Sequence, residues 1–112
     1  MNGSILTSIK KMLGMTEEYT HFDTDIIIHI NSVFMTLHQL GVGPENGFNI
    51  ESEAEQWNQF VAEEDNLEAV KTYVYLKVKM IFDPPTNGSV LEAYKQQINE
   101  FEWRLNVQTE SE

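Results

Sequence analysis

The chain of 112 residues contains no cysteine. That removes disulfides, thiolate catalysis and cysteine-ligated zinc, without fixing the redox compartment. Basic residues are scarce as well: seven Lys and Arg stand against 18 Asp and Glu, a formal net charge of −11. Phosphate contacts from Lys and Arg supply most non-specific affinity for nucleic acid, so the molecule as a whole should repel DNA. Lys71, Lys77 and Lys79 share one segment and read as the solvated edge of a helix or, alternatively, as a local contact for phosphate or an acidic partner. No window approaches the roughly 18 consecutive apolar residues that a membrane span requires. The N-terminal "MNGSILTSIKKMLG" has too short an apolar run, with lysines inside it, for a signal peptide. A soluble protein made in a cytoplasm, with no membrane partner, is expected.

What is present is enough for a core. The 41% apolar fraction is modest, but two Trp, four Tyr and six Phe are too many for a disordered chain. One helical domain over residues 1–106 is expected, followed by a flexible acidic tail, "VQTESE", over 107–112. No internal repeat or low-complexity tract interrupts it.

Helical spacing dominates the pattern. Ile5, Ile9, Met12 and Leu13 predict a short amphipathic helix stopped by Gly14. After a polar connection, Asp23 or Thr24 can cap a second helix running to about Leu40, ended by Gly41. Its stripe is Ile26, Ile30, Val33, Leu37 and Leu40, widened by Ile27 and Phe34, while Ile28 and Met35 lie well round the cylinder. A helix apolar on so much of its circumference is central in its domain or covered by a second molecule. "GVGPENGFNIE", Gly41 to Glu51, is a long loop with room for an extended piece at Phe48 to Ile50; it is a contact element or a loop whose Phe48 tucks into the core. Ser52 and Glu55 have capping-box spacing ahead of a short helix carrying Trp57, Phe60 and Val61. Asp65 and Glu68 offer an acidic cap for the next helix, Asn66 to Phe82.

The most informative punctuation follows. Pro84 biases Asp83 away from the helical region and Pro85 cannot donate a backbone hydrogen bond, so the helix ends near Phe82. Ser89 and Glu92 form a second capping box, and Leu91, Tyr94, Ile98, Phe101 and Leu105 repeat at helical spacing. Two helices joined by a short, stiff turn should pack as an antiparallel hairpin. The fold class expected is all-α: a small bundle of four to five helices ending in that hairpin.

Little resembles reaction chemistry. Asp25 and His29 share a helix face but supply only two ligands, and His38 lies on the opposite side; His21 adds nothing at a metal-ligand spacing. Glu17, Glu18, Glu63, Glu64 and Asp65 suit helix starts and solvated surface, with no nucleophile and base beside them. No enzyme, cofactor or metal is expected. Trp57 and Trp103 sit in polar surroundings, as binding anchors or as packing within the chain. Asn2 and Asn87 match the glycosylation spacing by chance, given no secretion signal. Candidates for subunit or partner contact are Ile28, Met35, Phe48, Ile50 and Trp103.

Together, "SIKKMLG", "FDTDIIIHINSVFMTLHQLGVGP" and above all "YVYLKVKMIFDPPTNGSVLEAYKQQINEFEWRLN" resemble the small head-to-tail connector proteins of tailed bacteriophages and prophages, also called adaptor or head-completion proteins. The resemblance covers most of the chain and transfers no individual functional residue. It implies a non-enzymatic virion component, made in the host cytoplasm, that forms a homo-oligomeric ring of about twelve copies below the portal protein. Such a ring extends the DNA channel, lets DNA pass without specific binding, and presents a surface to the next connector or tail protein. Wide apolar girth suits a subunit with neighbours, and an acidic lumen gives duplex DNA no sticking points. The competing classes are a free-standing acidic helical interaction module and a DNA mimic.

Overall fold

In the computed structural model, which describes residues 3–60 and 64–110, the chain begins with Ser4 accepting the Thr7 amide on its hydroxyl at 3.2 Å. That cap starts α1, Ile5–Met12, which buries Ile5, Leu6 and Ile9 while Met12 turns outward. Helix α2, Asp23–Gln39, starts from Phe22, and neither Asp23 nor Thr24 caps it. Asp23 lies inside the first turn and pairs instead with the ammonium of Lys10 at 2.9 Å. Lys10 is buried and also donates to the Glu17 carbonyl at 3.0 Å, so one side chain ties α1, the connection and the start of α2 together.

Helix α2 ends as its glycine predicts. Gly41 takes φ +85°, the Gly41 amide donates to the His38 carbonyl and the Val42 amide to that of Leu37, satisfying carbonyls the helix end would leave open. The loop beyond forms no strand. Two side-chain hydrogen bonds anchor it: the Asn31 amide nitrogen donates to the Ile50 carbonyl at 2.9 Å, and the Ile50 N–H donates to the Asn31 oxygen at 2.7 Å. Phe48 tucks in beside Phe34 and Phe60, with both ring centroids at 5.6 Å.

The Ser52 and Glu55 pair closes a turn rather than a helix. Glu55 accepts the Glu51 and Ser52 amides, but the Ser52 hydroxyl accepts from Ala54, and α3, Trp57–Phe60, begins only after Gln56. Slight burial raises the Glu55 carboxyl, yet hydrogen bonds from the Glu51, Glu55 and Ser52 amides outweigh it and hold the group below its ordinary value. The lone bridge of Ser4 with Gln56, together with hydrogen bonds between the Ile5 amide and Glu55 carbonyl and between the Trp57 amide and Gly3 carbonyl, clamps this turn to the start of the chain. Val61 lies outside the described residues.

Helix α4, Glu64–Phe82, starts earlier than its sequence caps suggest, placing Asp65 within its first turn. It is the central element: Leu67, Val70, Tyr73, Val74, Leu76 and Val78 are buried, and it packs against α1, α2 and α5. Burial round most of the circumference thus belongs to α4 rather than α2, whose Ile28 and Met35 face outward. Ile81 leaves the core side as well and is about half exposed. Phe22 and His29 meet Phe82 at one end, with centroids 5.3 and 6.3 Å away, while Phe34 stacks on Phe60 at the other.

Helix α5, Gly88–Glu110, follows a turn over 83–87. Its cap is not Ser89. The Asn87 side-chain oxygen accepts the Ser89 amide at 2.9 Å and the Val90 amide at 3.2 Å, so Ser89 and Glu92 belong to the first turn and make no capping box. The helix also runs through 107–110, which the sequence assigned to a tail; Ser111 and Glu112 lie outside the described residues. The result is the all-α bundle with a C-terminal hairpin that the spacing predicts, with no strand among the described residues.

Candidate assembly interface

Opposing order along α4 and α5 shows that they run antiparallel. Tyr73 and Lys77 of α4 both reach Glu102 of α5, Tyr75 hydrogen-bonds Tyr94, Thr72 shares a hollow with Gln97, Phe101 and Arg104, and Met80 and Ile81 share a groove with Lys95 and Ile98. The seam between them carries polar ties. The Tyr73 hydroxyl, on a fully buried ring, donates to Glu102 at 2.7 Å, and Lys77 stands 3.8 Å from the same carboxylate. Burial, then the hydrogen bond to Glu102 and its charge, push the Tyr73 hydroxyl far above its ordinary range. Two residues on, burial and then the hydrogen bond with Tyr94 push Tyr75 up to about 12, with the charges of Tyr94 and Asp83 adding to it.

The apolar half of the seam is thin. Helix α5 buries Ile98 and Leu105, while Leu91, Tyr94 and Phe101 are half-buried. Trp103 is two residues from both Phe101 and Leu105, about 200° round the helix, so it points away from α4. It is 67% exposed, the largest exposed apolar side chain of α5. Beside the seam runs a groove lined by Met80, Ile81 and Ile98, with Lys77, Lys95 and Asn99 at its edge.

The five contact candidates fall into three places. Ile28 and Met35, 58% and 65% exposed, share the outer face of α2. Phe48 and Ile50 belong to the interior of the loop, and Ile50, at 1%, offers no surface. Trp103 stands alone on α5. Trp57, by contrast, is wholly buried, its indole N–H donating to the Ser8 hydroxyl at 3.1 Å. Of the histidines, His21 packs edge-on against Phe22 and His29 lies near Phe82. Among the described residues no group of three or more His, Asp or Glu could hold a metal ion. No described helix is long and apolar enough to cross a membrane.

Charge is distributed very unevenly. Residues 1–65 hold eleven carboxylates and two lysines, a net −9, while residues 66–109 hold five of each sign, a net of zero. All five cations of that second stretch pair with its own acids: Lys71 with Glu68, Lys77 with Glu102, Lys79 with Asp83, Lys95 with Glu92 and Arg104 with Glu100. These pairs balance the charge along this stretch. The excess acid lies in the first part, where Glu17, Glu51 and Glu53 border one hollow over Leu6 and Ile27. Segment-by-segment counting would have revealed this separation from sequence; the pairing needs the structure.

A family model described as phage connector protein matches residues 5–112, a span that includes all five helices. No curated protein and no solved structure matches the chain.

Proposed function

The chain belongs to the phage connector protein family, and from that premise we propose that it is the repeating subunit of a ring docked below the portal. The ring extends the channel through which DNA passes and offers its far side to the next connector or tail protein. Catalysis has no part in this role. The observation that carries it is the family match across every helix of the fold. The charge distribution supports it: carboxylates such as Glu17, Glu51 and Glu53, facing a lumen, would repel the phosphate backbone and let duplex slide. Facing the portal and closing into a ring, each subunit would contact its neighbours through unlike surfaces, as head-to-tail rings require. Mixing the purified chain with a portal ring of the same virus and separating the products by density tests the role. Co-sedimentation in many copies per portal is expected; a chain that stays unbound would refute it.

A further inference from the structure

Resting on that ring reading, we infer that copies meet through the body of the α4–α5 hairpin, whose residues 66–109 are electroneutral, with Trp103 of one copy seated in the Met80, Ile81 and Ile98 groove of the next. Self-association of a chain carrying −11 is opposed by its own field. A contact that used residues 1–65 on either side would bring a net −9 into the seam and bury carboxylates that two lysines cannot match. Residues 66–109 of the hairpin carry a smaller penalty, because their five cations and five acids are already paired. A second copy is thus the occupant that this surface suits, whereas a strongly basic partner would find more to bind on the first half.

The hairpin also supplies both halves of a contact. Trp103 and the groove are separate patches of the same hairpin, so Trp103 of one copy can enter the groove of the next without the reciprocal contact, as head-to-tail association requires. Lys77 and Lys95 at the groove edge can lie against the indole face while Met80, Ile81 and Ile98 cover the ring. Trp is the residue type most enriched among interface anchors, and this one is held on a 23-residue helix rather than on a loop.

The test is sedimentation velocity of the full chain, free and on a portal ring, over a range of concentration and salt, for four variants whose helicity is first shown to be intact. Trp103→Ala and Ile81→Glu should raise the concentration for half-assembly about tenfold or more, whereas Ile28→Glu and Met35→Glu should leave it unchanged. Added salt should promote assembly of the unaltered chain by screening the acidic halves. If Trp103→Ala and Ile81→Glu assemble like the parent, or if only the α2 variants fail, this contact is wrong and the ring survives. A parent chain that remains a single copy under every condition, portal present, overturns the ring and this contact together.

Discussion

Asn31 does for the loop after α2 what a neighbouring strand does in a sheet, giving Ile50 both a donor and an acceptor. Removing it leaves a buried N–H and C=O without partners, so Asn31→Ala should cost about 2 kcal/mol in urea unfolding; an unchanged midpoint would show that the loop holds itself. Gly43 is a second fixed point. It sits at φ +95°, and a Cβ there would lie 2.5 Å from Cε1 of Phe60, a ring stacked on Phe34. Gly43→Ala therefore combines backbone strain with overpacking and should destabilise by about 2 to 3 kcal/mol, whereas Gly47→Ala, with open space around it, should show the backbone part alone. Equal losses at the two positions would contradict the Phe60 contact. Neither anchor could be read from the sequence, since Asn31 reaches Ile50 and Gly43 meets Phe60 far along the chain, beyond what local periodicity reports. The same distance hid the burial of Ile50, which looked like loop surface.

At the level of elements, the proline turn was legible because its effect is local: ring closure forbids the helix from continuing whatever lies beyond. The cap beyond it was not, because two adequate caps stand two residues apart and the turn geometry selects between them. Asn87→Ala should cost about 1 kcal/mol and Ser89→Ala much less, measured by chemical denaturation; the reverse order would restore the serine cap. The seam itself has a pH limit. Tyr73 and Tyr75 ionise near 10 once exposed but are held higher when folded, so the stability they contribute is complete below about pH 10 and is lost as the pH rises towards 12 and beyond. Hydrogen exchange of α5 amides should accelerate over that interval before those of α2, and Tyr75→Phe should shift the onset upward. Simultaneous loss of both helices would mean that the seam is no weaker than the rest. Trp103 was readable as off the stripe; that α4 rather than α2 is the surrounded helix depended on tertiary placement.

The molecule as a whole joins an acidic first part to a partly uncovered hairpin whose residues 66–109 are electroneutral, in a body of 40 × 36 × 22 Å. Helix α5, about 35 Å long by its 23 residues, has α4 as its principal neighbour. In the proposed ring, the less acidic hairpin would meet copies of itself while the acidic first part would repel phosphate. Electron cryomicroscopy of the chain bound to its portal tests this most directly. A closed collar is expected, with hairpins side by side, Trp103 covered by the adjacent copy, and carboxylates of residues 3–60 towards the axis. A collar with a basic lumen, or a single copy bound with Trp103 in water, would contradict it.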